Sequence, residues 1–246
     1  MKNILDSHVS IYEGQNPYDF DNSIILNWYP QRIVDLTKDA NSILELGLGH
    51  GITSRIFSKH YKRHVVLEGS AAVIDNFRKK SPDCNPEIIE TYFEKYETKE
   101  KFDVIVLGFI LEHVDNPYEI ITYFKKFLSP EGNMFISVPN AEALNRRLGH
   151  LAGLLPDMQA LSENDVISGH KRYYTVESLT EEVRNAGFEL SKMEGIYLKP
   201  FTTKQMMSLN FDQKIINALC LAGIDYPELC LGLLVHIKDN KQGNSK

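Results

Sequence analysis

The residues of this 246-residue chain whose types and spacing could do chemistry fall in three stretches. The first, "ILELGLGHGITSR" at 43–55, sets Glu45 just ahead of three glycines, Gly47, Gly49 and Gly51. Glycines at a strand-to-helix corner let the chain turn tightly and let a ligand reach the main chain without meeting a Cβ. The following helix aims its N-terminal N–H groups at the same spot. That combination makes a cradle for a nucleotide-type ligand. The second stretch, "VVLEGS", ends a further apolar run with Glu68 and Gly69. The third is split between "GFILEHV", with Gly108, Phe109, Glu112 and His113, and "GHKRYYT", with His170, Lys171 and Arg172. Histidines titrating near neutrality suit proton transfer, and guanidinium groups suit bidentate capture of an anion.

Such residues need a frame that brings them to one edge. From Ser42 onward, short apolar runs alternate with helical patterns, which implies βαβ units and a parallel sheet. Strands are expected near Ser42–Leu46, His64–Glu68, Pro86–Glu90, Phe102–Gly108 and Asn133–Val138, with helices after the first, second, fourth and fifth. "FDVIVLG" and "NMFISVP" are nearly continuous apolar runs, as central strands buried on both faces should be. Residues 1–40 read as a helical, aromatic cap carrying Tyr12, Tyr18, Trp28 and Tyr29. Residues 41–140 are the ligand-binding core, and 141–174 a helical insertion over the sheet. Residues 175–238 supply a helix, with Thr175 as its N-cap and Gly187 closing it, and the last strands; 239–246 form a polar tail.

A dinucleotide fingerprint would need its third glycine at position 52, where Ile52 stands. The E-x-G-x-G-x-G pattern instead resembles the first motif of the class I S-adenosylmethionine-dependent methyltransferases, with Glu45 at that motif's acid position. "FDVIVLGFILEHVDNP" resembles the family's fourth-strand segment and "FLSPEGNMFISVPN" its fifth, so the resemblance spans roughly residues 40 to 140. It implies a Rossmann-like, doubly wound α/β fold: a mostly parallel seven-stranded sheet with helices on both faces, an N-terminal cap and a helical insertion after the fifth strand. It also implies S-adenosylmethionine as cofactor and S-adenosylhomocysteine as product. Glu68, about 20 residues past the corner, is then placed to accept from both ribose hydroxyls. Glu45 and the glycine main chain would lie near the methionine end, and Gly69 and Gly108 would line the pocket. Where many relatives carry an Asp for the adenine, "IIETYFEKYE" offers Tyr92 and Phe93, an aromatic face.

In open α/β sheets the ligand crevice lies beyond the carboxyl ends of the strands, which puts Gly108, Phe109, Glu112 and His113 near the transferred methyl. Arg146, Arg147, His150, His170, Lys171 and Arg172 concentrate positive charge in the insertion of an otherwise acidic chain, so an anionic small-molecule acceptor is expected there. Arg146, Lys171 and Arg172 are the candidate acceptor contacts, with Tyr12, Tyr18 and Tyr29 closing the pocket from the cap. His170, then His113, is the candidate catalytic base for a hydroxyl acceptor. An acceptor oxygen already anionic needs none.

The charge balance, 27 basic against 33 acidic residues, lacks the electropositive field a nucleic-acid binder needs. Cys84, Cys220 and Cys230 match neither a zinc site nor a disulfide framework, and no metal is expected. A cytoplasmic, soluble protein without membrane partners follows from the polar N-terminus and the lack of a long apolar window. Monomer and homodimer both stay open. The reading as a whole resembles bacterial enzymes that O-methylate a small anionic metabolite or a capsule, sugar or phosphoramidate precursor of a surface polysaccharide. A natural-product carboxylate or phosphonate O-methyltransferase and a non-catalytic nucleoside-binding scaffold are the alternatives.

Overall fold

Alternation along each strand decides which side chains meet which helices. In β4 (Phe102–Gly108), Ile105 and Leu107 belong to one buried cluster and Val104 and Val106 to another, as successive side chains on opposite faces require. A computed structural model describes residues 19–239. Its first elements are α1 (Asp19–Leu36), β1 (Ser42–Leu46), α2 (Ile52–His60), β2 (Arg63–Glu68), α3 (Ala71–Lys80) and β3 (Glu87–Glu90). After β4 come α4 (Pro117–Lys125), β5 (Leu128–Pro139), α5 (Leu144–Leu151), α6 (Glu163–Ile167) and α7 (Val176–Asn185). The chain closes with β6 (Phe188–Ile196), α8 (Thr203–Ser208), α9 (Gln213–Gly223) and β7 (Gly232–Asp239).

The seven strands form one sheet in the order β3-β2-β1-β4-β5-β7-β6. The first five pair in parallel, and β7 enters antiparallel between β5 and β6. One face is covered by α4 and α7, through Ile120, Ile121, Phe124, Leu179 and Val183. The other carries α1 and α2, through Ile25, Tyr29, Ile33 and Phe57, with Met206 of α8 and Cys220 of α9 beside them and α3 over β2. The order reverses between β1 and β4, so the crevice opens at their carboxyl ends, where an open α/β sheet binds its ligand.

Strands β1 and β4 have the expected bounds, and α7 starts at its Thr175 cap, which forms a reciprocal box with Ser178. Strand β5 begins earlier than expected, at Leu128, because Phe102 pairs with Leu128 before the register shifts. Helix α1, the described part of the expected cap, packs onto the sheet: Ile25, Tyr29 and Ile33 are buried in the same cluster as Val104 and Phe135. Helices α5 and α6 fill only part of the expected 141–174 insertion, and α8 and α9 add two helices before the last strand. Among the described residues no helix is long and apolar enough to cross a membrane.

Candidate active site

All three glycines of the corner adopt left-handed backbone, with φ of +79° at Gly47, +47° at Gly49 and +70° at Gly51. L side chains seldom adopt these angles, which explains the residue type. A Cβ on Gly51 would also strike the ring of Phe77 in α3, so this glycine serves helix packing as well as the turn. The Gly47 N–H bonds the Leu67 carbonyl at 2.8 Å, tying the corner to β2.

Glu45 projects onto the face that carries α2. Its carboxylate is buried and accepts from the Thr53 hydroxyl and, at 2.6 Å, from that of Ser54, while the His64 Nε2 stands 3.0 Å away. His64 in turn shares its Nδ1 with Ser58 at 2.8 Å. Both oxygens are thus engaged by protein groups that clamp the first turn of α2 to β1 and β2. Glu45, expected near the methionine end, thus also shapes the corner itself through Thr53, Ser54 and His64.

Glu68 ends β2 with its carboxylate oriented by two main-chain donors, Leu48 N–H at 3.0 Å and Ser70 N–H at 2.9 Å. These two bonds link the acid to the glycine corner and to the start of α3, so its direction is set before any ligand arrives. After β3, Tyr92 is exposed with Lys95 over its ring, whereas Phe93 packs edge-on against Phe124. Of the two aromatics expected at adenine, Tyr92 faces outward and Phe93 belongs to the core margin.

The carboxyl end of β4 is strained. Phe109 has a φ of +56°, an unfavourable angle for a bulky side chain, held by its N–H bond to the Ser137 carbonyl at 2.8 Å. Tyr29 of α1 packs edge-on against Phe109, and its hydroxyl fills the space that a Cβ on Gly108 would need. Burial, then the charges of Glu45 and Glu112, push the Tyr29 phenol well above its ordinary range. Tyr29, expected to close the pocket from the cap, is buried against the end of β4, and Gly108 is bare because Tyr29 covers it.

Beyond Phe109 the chain places Glu112 fully buried, with no hydrogen-bond partner on either oxygen. Burial raises its pKa to about 7, against the opposing charges of His170 and Arg172. His113 and His170 meet edge to face with ring centroids 4.7 Å apart. One ligand atom from each of Glu112, His113 and His170 lies within 4.8 Å of the others. Asp165 stands 3.3 Å from the His170 Nδ1, near enough for ion pairing though not aligned for a hydrogen bond. Its own carboxylate is fixed by the Ser162 N–H and hydroxyl and by the Tyr173 hydroxyl at 2.8 Å. His170 is raised above its ordinary value: burial opposes the proton, but Asp165 and Glu112 more than compensate.

The cations expected to read an anionic acceptor each have partners within the chain. Arg146 donates to the carbonyls of Ala141, Met158 and Ala160, and its guanidinium lies 4.3 Å from the Tyr173 ring centroid. It staples α5 to the loop before α6. Lys171 is paired with Asp115, and Arg172 donates to the Leu111 and Asp115 carbonyls at 3.5 and 3.2 Å. With the Lys171 N–H bonded to the Glu112 carbonyl at 2.7 Å, these contacts fasten the 170–172 segment to the β4–α4 loop. They are what bring His170 onto His113. Tyr12 and Tyr18 lie outside the described residues. Glu112, expected near the methyl but with no role given, and Asp165, not singled out, emerge as central. A carboxylate four residues past an apolar strand end was the available signal for the first.

Glycine main chain at a strand-to-helix corner, a pre-oriented acid ending β2 and a titratable cluster past β4 define a two-substrate crevice of the nucleoside-dependent transferase type. Residues 26–192 match the family model of the methyltransferase domain, and the chain belongs to that family, the S-adenosylmethionine-dependent methyltransferases. The ubiquinone biosynthesis O-methyltransferase of Acinetobacter baumannii (strain AYE) is 22% identical over 198 residues, 78% of this chain and 81% of that protein. Among solved structures, a Thermotoga maritima S-adenosylmethionine-dependent methyltransferase, described as a possible histamine N-methyltransferase, superposes with a TM-score of 0.63 at 16% identity. That alignment covers 96% of this chain and 98% of the other. The plantazolicin methyltransferase BpumL, solved in complex with S-adenosylhomocysteine, gives 0.60 at 16% identity, covering 95% and 89%.

Proposed function

We propose that this protein transfers the methyl group of S-adenosylmethionine to a hydroxyl oxygen of a small acceptor. The acceptor would be held between the β4–α4 loop and the 141–174 insertion. The observation that carries the acceptor end is the convergence of Glu112, His113 and His170, with Asp165 behind, at the carboxyl end of β4. The O-methyltransferases among the curated relatives agree with this reading.

The donor supplies an activated methyl group, and the chain's own task is to position. The bare backbone of Gly47 and Gly49 leaves room for the donor's methionine end, and Glu68 is oriented to accept from its ribose hydroxyls. Tyr92 offers a ring face for the adenine. Tyr29, Phe109 and the buried margin of β4 exclude water from the line of transfer. Holding acceptor oxygen, methyl and sulfur in line at close range accounts for much of the acceleration. A hydroxyl is a poor nucleophile until its proton is drawn off, and the imidazoles of His170 and His113 are the groups placed to accept it.

Because Arg146, Lys171 and Arg172 are engaged within the fold, a neutral hydroxyl fits this end better than the carboxylate, phosphate or phosphoramidate expected from the charge pattern. A sugar hydroxyl of a surface-polysaccharide precursor stays within the class. The test is a matched panel: sugars and phenols against carboxylates and phosphates of the same skeletons, read by release of S-adenosylhomocysteine. Turnover confined to the hydroxyl set supports the reading, and turnover confined to the anionic set overturns it.

A further inference from the structure

We infer that Glu112, His113 and His170 bind a divalent transition-metal ion at the acceptor end of the crevice. The inference rests on the acceptor reading above and adds the agent that would hold and activate the hydroxyl there.

Three observations support it. The Glu112 carboxylate is fully buried, yet neither oxygen has a hydrogen-bond partner. A dry, unpartnered carboxylate is among the costliest groups a fold can retain, and a cation is the partner that relieves it. The two imidazoles beside it complete a facing set of donor atoms, all within 4.8 Å of one another. Zinc with bonds of about 2.1 Å would hold such atoms about 3.4 Å apart, so the set closes by modest side-chain rotation. Finally, Asp165 lies behind His170 on the Nδ1 side, fixed by Ser162 and Tyr173. That leaves Nε2 as the ligating atom and sets a carboxylate on the side from which metal-bound imidazoles are usually supported.

Two imidazoles and one carboxylate favour zinc, cobalt, iron(II) or manganese over calcium and magnesium, which prefer all-oxygen shells. Three protein ligands leave at least one position open. An acceptor hydroxyl entering it would be oriented and made more acidic; with both imidazoles ligating, the ion takes over the activation given above to His170 and His113, and the proton passes to solvent. The cysteines take no part: Cys220 and Cys230 are buried and Cys84 sits on the α2 side.

The test uses the full chain, stripped with a chelator and titrated with cobalt(II) alone while visible absorption is followed, with zinc calorimetry in parallel. One equivalent should bind with the bands of a nitrogen- and oxygen-ligated, low-coordinate ion. Glu112→Gln and His170→Ala should each weaken binding at least 100-fold, and the supporting Asp165→Asn by about 10- to 100-fold. Calorimetry with S-adenosylhomocysteine on the same samples reports whether each variant is folded and whether the donor end works independently. Donor binding without stoichiometric cobalt overturns the metal inference and spares the donor reading. Cobalt binding equally tight in Glu112→Gln and His170→Ala overturns it too.

Discussion

Replacing Glu112 by Gln should make the metal-free protein more tolerant of alkaline pH while removing its chemistry. Burial raises the Glu112 pKa from an ordinary 4.5 to about 7, so the folded state holds this proton more tightly than the unfolded chain. Below pH 4.5 the residue is neutral in both states and costs nothing through ionisation. Between pH 4.5 and 7 the unfolded chain ionises first, and stability falls; above pH 7 the whole difference, about 3 kcal/mol, is lost. A Gln side chain in the same place keeps the volume and polarity but cannot ionise. Its amide is also unsatisfied there, so the informative quantity is the change with pH rather than the absolute stability. Urea unfolding of both proteins at pH 5 and pH 8, after chelation, should show the variant gaining about 2 to 3 kcal/mol over wild type between the two conditions. Parallel pH profiles for the two proteins would mean that Glu112 ionises freely in the fold. The picture of a dry, unpartnered carboxylate would then be wrong.

Further outcomes follow from the same structure. Gly51→Ala combines a φ of +70° with a clash on Phe77 and should cost about 2–4 kcal/mol in urea unfolding. Arg146→Met frees the Ala141, Met158 and Ala160 carbonyls and should speed amide exchange across 157–168, leaving β4 and β5 protected, at a cost of about 1–3 kcal/mol. His236, half-buried beside Phe135 and hydrogen-bonded to Asn133, has its pKa lowered to about 4 by burial and then by Lys238. Protonation favours the unfolded chain, so stability should fall as pH drops from 6.5 towards 4, and His236→Gln should flatten that part of the melting-temperature profile.

The parts of this molecule legible in its sequence are those set by local rules. Val104–Leu107 is a continuous apolar run because β4 is covered on both faces, and three left-handed corner residues leave glycine almost no rival. Strand β6 was harder to bound, because "FELSKMEGI" is partly exposed and carries polar residues along its edge. Charge in the insertion was visible but its use was not. Whether an arginine reads a ligand or staples a loop depends on carbonyls brought near by folding, as Met158 and Ala160 are for Arg146. The pairing of His113 with His170 was hidden for the same reason, since it is made by Lys171 and Arg172 bonding the β4–α4 loop. Glu45 shows the opposite case: its type and place were legible, while its partners Thr53, Ser54 and His64 turn it inward.

The most direct test of the account is calorimetric titration of the protein with S-adenosylhomocysteine, alongside Glu68→Ala. Wild type should bind one equivalent with a dissociation constant in the micromolar range, and loss of the pre-oriented carboxylate should weaken it by about 1–3 kcal/mol, roughly 5- to 150-fold. No heat at saturating ligand, or equal affinity in the variant, would contradict the assignment of the crevice between β1 and β4 as the donor site.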